Sequence, residues 1–127
     1  MNERSSVINI GGKEYELVLT TRATKEIAKR YGGLSDLGDK LMKEENFEKA
    51  LDEVIYLIVL LANQGIEIHN MQNPENKKTL LTEEYVELMT SPFDLAQYKD
   101  AIMQAMYKGT KREVESEDTG SKNTQIG

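Results

Sequence analysis

The chain opens on a period of two and then changes to a period between three and four. From Val7 to Leu19, apolar and polar residues alternate on either side of Gly11-Gly12, a pair able to supply the positive φ angles of a tight turn. This predicts a β-hairpin with Ile8, Ile10, Tyr15, Leu17 and Leu19 on one face and Asn9, Glu14 and Glu16 on the other. A lone hairpin is marginal in water, so its apolar face must dock on helices or pair with another chain.

Helical spacing takes over at Thr20-Thr21, where either threonine can cap a helix carrying Ala23, Ile27 and Tyr31 and ending at Gly32-Gly33. Ser35 is placed to cap a short second helix presenting Leu37 and Leu41 and weakened by Gly38. Asn46 caps the main helix, expected from Phe47 to about Asn63 with Gly65 terminating it. Its stripe is Phe47, Ala50, Leu51, Val54, Leu57, Ile58 and Leu61, and the apolar residues Ile55, Val59 and Leu60 off that stripe make this helix the centre of the fold.

Residues 66–80 have no sustained period and read as a loop that contains His69, with Ile66 and Ile68 in a short extended start. Thr82 caps a fourth helix with acids in its first turn and Leu81 able to staple onto Val86. Ser91-Pro92 starts a last helix through Leu95, Tyr98, Ile102 and Met106, stopped by Gly109. Beyond it, residues 110–127 carry only Val114 and Ile126 as sizeable apolar groups, too few to offset the entropy of ordering. The expected architecture is α+β, mostly α: an N-terminal hairpin on four to five helices as one domain, 1–109, and a flexible acidic tail, 110–127.

Composition narrows the function. The 127 residues carry a net charge of -6, which repels nucleic acid and anionic membranes, and the basic clusters at Lys77-Lys78 and Lys108-Lys111-Arg112 are small or followed at once by acids. There is no cysteine, and the single histidine rules out a histidine cluster for metal. The longest apolar run, Val54 to Ala62, is about half of the roughly 18 residues a membrane span needs, and the N-terminus has no signal-peptide pattern.

Gly12-Lys13 falls short of a phosphate-binding loop, because Val7 stands where glycine is required and Glu14 where Ser or Thr is required. Each helical run of acids, such as Glu44-Glu45, Glu48, Asp52 and Glu53, falls on the expected solvent face. No catalytic, cofactor or metal residues are expected. The chemistry left is contact: Tyr98, Met103, Met106 and Tyr107 on the last helix are the candidate protein-binding residues, methionine being suited to adaptable surfaces. Should Leu95, Ile102 and Met106 face the core, Met103 and Tyr107 remain for a partner, and the ordinary alternative is that all of them fill irregular core space.

The series Ile8-Asn-Ile-Gly-Gly-Lys-Glu-Tyr-Glu-Leu17, Thr20-Thr-Arg-Ala-Thr-Lys-Glu-Ile27, Arg30-Tyr-Gly-Gly33, the apolar helix 51–62 and Leu81-Thr-Glu-Glu-Tyr-Val86 resembles the tail assembly chaperones of long-tailed bacteriophages and prophages of Gram-positive hosts. The resemblance covers most of residues 7–109. It implies a protein that acts in the host cell cytoplasm, binds the tape measure protein and helps to recruit tail tube protein, with self-association possible. It also implies that residues 110–127 are a linker to a second domain added by ribosomal frameshifting, Lys122-Asn123 being compatible with a slippery codon pair. The alternative from another class is a structural virion component, a minor tail or head-tail connector protein whose hairpin pairs between subunits.

Overall fold

The computed structural model describes residues 5–125, with side chains described for 5–110. Strands β1 (Ser5–Ile10) and β2 (Lys13–Val18) form a two-stranded antiparallel sheet in which Ile10 faces Lys13, Ile8 faces Tyr15 and Ser6 faces Leu17. Gly11 and Gly12 join them with φ of 59° and 82°, the doubly positive pair of a type I′ turn. Five helices follow: α1 (Thr21–Tyr31), α2 (Leu34–Lys43), α3 (Phe47–Gln72), α4 (Glu83–Met89) and α5 (Pro92–Gln125). The α+β, mostly α architecture read from the sequence is the one observed.

Local chemistry sets most helix ends. Thr20 Oγ1 accepts from Ala23 N at 3.0 Å, Asn46 Oδ1 from Lys49 N at 2.9 Å and Thr82 Oγ1 from Tyr85 N at 3.1 Å. Ser91 and Asp94 cap α5 reciprocally, each side chain accepting from the other's backbone N–H at 3.2 and 2.9 Å. Gly32, at φ 101°, ends α1 in the left-handed conformation. Ser35 is not a cap: α2 starts one residue before it, after Gly33, and has no side-chain cap.

The core is a single cluster drawn from every element. Leu57, Ile58 and Leu61 of α3 are fully buried among Leu17, Ile27, Leu37, Val86 and Ile102. At about 1.5–3 kcal/mol per buried aliphatic side chain, this set supplies the main gross driving force for folding. The hairpin is packed between α3, beside β2, and α5, beside β1. Its open end is enclosed on both faces, so Ser5 and Val18 are buried opposite the face that alternation assigned to the core.

Four expectations change. Gly65 does not end α3, which continues seven residues further to Gln72, and Ile66 is buried in the helix rather than extended. A glycine costs a helix only about 1 kcal/mol relative to alanine, and here its missing side chain lets α3 meet β2: a Cβ at position 65 would stand 3.2 Å from the Glu16 carbonyl oxygen. Phe47 is not part of the apolar stripe but 68% exposed at the first position of α3.

Glu53 is not on a solvated face; its side chain is only 13% exposed, held by Arg30 of α1. Finally, α5 carries through Gly109, where the helix was expected to stop. A Cβ there would lie 3.0 Å from Leu19 Cβ, so this glycine permits close helix–strand packing instead of breaking the helix. The tail expected at 110–127 falls, apart from Thr110, outside the described side chains.

Candidate protein-binding surface

The sites where chemistry was sought are occupied by structural contacts. His69 stands in the last turn of α3, not in a loop, with Nε2 3.0 Å from the Asn76 carbonyl oxygen and Nδ1 3.4 Å from Asn73 Nδ2. It thereby shapes the segment 73–80. Asn63 and Asn70, two turns apart on α3, hold the same segment: each amide accepts from and donates to the backbone of one residue, Leu81 and Lys78 respectively. Among the described residues no group of three or more His, Asp or Glu side chains is placed to hold a metal ion.

A charged and aromatic cluster ties α1 to α3. Tyr31 donates its hydroxyl to Glu53, Arg30 Nε lies 3.3 Å from the same carboxylate, and the Arg30 guanidinium stacks 4.0 Å over the Tyr56 ring. Burial, then the hydrogen bond to Glu53, pushes the Tyr31 hydroxyl well above its ordinary range. Every partner is satisfied within the cluster, which makes it a fastening rather than a reactive site.

A groove of about 980 Å³ runs between β2, α3 and the segment 77–79, but its charges are mixed: Lys13, Lys77 and Lys78 share it with Glu14 and Glu16. No helix among the described residues is long and apolar enough to cross a membrane.

The four candidate contact residues of α5 do not form one surface. Met106 is 5% exposed and belongs to the core, beside Ile102 and Ala105, so it is not a contact residue. Tyr98 is half-buried and donates its hydroxyl to the Asn9 carbonyl oxygen at 2.5 Å; Met103 is half-buried against the core. Tyr107 alone of the four is well exposed, at 64%.

Two of these α5 contacts also close the hairpin's edge. In the observed register, Ser5 and Asn9 direct their carbonyls away from β2, and these accept from Lys108 Nζ at 3.0 Å and from the Tyr98 hydroxyl. Two of the outward carbonyls of β1, those of Ser5 and Asn9, are thus occupied within the chain.

Other large apolar side chains are exposed singly, Met42 and Met71 among them, but three come close together in sequence at the junction of α4 and α5. Leu88 is 75% exposed, Phe93 72% and Met89 47%, within six consecutive residues. Helical geometry explains their position. Leu88 follows the buried Val86 by two residues, and Phe93 precedes the buried Leu95 by two; two residues turn a helix by about 200°, so both point away from the core. That two-residue offset from a buried neighbour was the available sequence signal.

The junction is supported from beneath, since Tyr85 and Met89 rest against the hairpin turn at Gly11. The flanking sequence is acidic: Glu83, Glu84, Glu87 and Asp94 lie between Leu80 and Tyr98, a stretch with no lysine or arginine. Apolar side chains exposed together on a charged domain are a candidate contact surface.

No family model matches the chain, and neither a curated protein nor a solved structure matches it.

Proposed function

We propose that the protein is a tail assembly chaperone of the long-tailed phage type, which binds the tape measure protein in the host cytoplasm and helps to recruit tail tube subunits. The observation that carries this reading is the exposure of Leu88, Met89, Phe93 and Tyr107 on the last two helices of a domain whose acidic surface otherwise favours solubility. Such a surface can shield apolar segments of a long helical client and then release them, because no covalent step is involved. The order of hairpin, capped helices and glycine pairs, which resembles that family, adds to it.

The alternative, a virion component whose hairpins pair between subunits, is disfavoured by the Tyr98 and Lys108 contacts that occupy two of the outward carbonyls of β1, those of Asn9 and Ser5. Two measurements test the proposal together. The chain co-expressed with the tape measure protein of the same genome should co-purify with it and keep it soluble, and mass spectrometry of purified particles should find no copy of the chain. Failure to bind that client, or a stoichiometric presence in particles, would overturn the reading.

A further inference from the structure

Resting on the reading of a client-binding protein, we infer that the α4–α5 junction is the docking site for an amphipathic helix whose apolar stripe is flanked by lysine or arginine. Three observations select that occupant. The exposed apolar residues Leu88, Met89 and Phe93 fall within six consecutive positions and include a methionine able to adapt to different side chains. The charged residues of the two helices next to them, Glu83, Glu84, Glu87 and Asp94, carry one sign, so a partner gains by bringing cations alongside its apolar face.

Three backbone groups at the junction, the Val86 carbonyl and the Ser91 and Asp94 amides, are also committed. Thr90 Oγ1 donates to the Val86 carbonyl at 2.6 Å, and the Ser91 and Asp94 amides are taken by each other's side chains. A strand seeking backbone partners finds none among these groups, whereas a helix, whose backbone is already paired, asks only for side-chain contact. The same acidic residues repel an anionic bilayer, which separates this surface from a membrane-binding one.

The test uses the full chain and a fluorescent 18-residue helical peptide of leucine, alanine and lysine, alongside the same peptide with glutamate for lysine. Anisotropy at low salt should show the lysine peptide binding at least about tenfold tighter than the glutamate peptide, with added salt narrowing the gap. Amide shifts on binding should centre on Leu88, Met89 and Phe93. L88S/F93S should weaken the lysine peptide by about tenfold or more, and E84K/E87K should reverse the charge preference while keeping the apolar residues.

Far-ultraviolet circular dichroism and the melting temperature establish that each variant is folded. Equal affinity for the two peptides, or undiminished binding by folded L88S/F93S, would overturn the inference. The two proposals fail separately: tape measure capture that survives L88S/F93S refutes the docking site alone, whereas peptide binding at the junction without tape measure capture refutes the chaperone reading alone.

Discussion

Asn63 grips Leu81 by both backbone groups, its Oδ1 accepting from Leu81 N at 2.7 Å and its Nδ2 donating to Leu81 O at 2.9 Å. Asn70, seven residues on, does the same to Lys78 at 2.8 and 3.0 Å. Two helical turns advance about 10.5 Å, and three residues of extended chain span about 10 Å, so one face of α3 is spaced to hold one stretch of backbone. This clamp delivers the chain to Thr82 and so sets where α4, and with it the apolar junction, stands.

Asn63→Ala should therefore cost about 1–3 kcal/mol, because it strands the partly buried amide and carbonyl of Leu81. Asn70→Ala, at an exposed site where water can replace the lost bonds, should cost about 1 kcal/mol or less. Urea midpoints at constant m-value measure both, and equal losses would contradict the assigned difference in burial.

Glycines 38 and 65 should respond oppositely to alanine. A Cβ at Gly38 meets nothing closer than Met103 Cε at 4.0 Å, so Gly38→Ala should gain up to about 1 kcal/mol from helix propensity. At Gly65 the same atom would stand 3.2 Å from a strand carbonyl that cannot swing aside, and Gly65→Ala should lose about 1 kcal/mol or more. Thermal melts of the two variants check the signs.

Surface and core apolar residues of the last helices should separate cleanly. Met106→Ala should destabilise by about 2–5 kcal/mol through the cavity it leaves, while Leu88→Ser should stay within about 0.5 kcal/mol of the parent. A large stability loss at Leu88 would show that the junction is part of the core and not a receiving surface.

Alkaline pH should unfold the protein through its tyrosines. Burial is the leading cause that raises Tyr15, Tyr31, Tyr56 and Tyr98 above the ordinary 10.0. Above about pH 10 the unfolded chain releases protons that the folded chain retains, so stability contributed by these groups is complete below that pH and declines as pH rises through their folded values. Tyrosinate absorbance followed with circular dichroism should show ionisation delayed past 10 and coupled to unfolding. Ordinary titration of all six tyrosines at constant structure would refute this.

Most of the local fold was legible from residue pattern because its causes are local. The Gly11-Gly12 turn, the Thr20, Asn46 and Thr82 caps, the Gly32 stop and the buried pairs Leu37–Leu41 and Ile102–Met106 depend on neighbours within a few positions.

Tertiary structure decided what distance along the chain conceals. Gly65 and Gly109 look like helix ends, yet each lies where a helix meets a hairpin residue distant in sequence, Glu16 or Leu19, so packing overrides a propensity cost of about 1 kcal/mol. Glu53 looks solvated until α1 brings Arg30 to it, and Met106 looks available until Ile102 and Ala105 turn its face inward. The apolar junction was hidden for the same reason. Periodicity shows which helical face is apolar, but exposure at Leu88 and Phe93 depends on whether another element covers that face, and among the described residues none does.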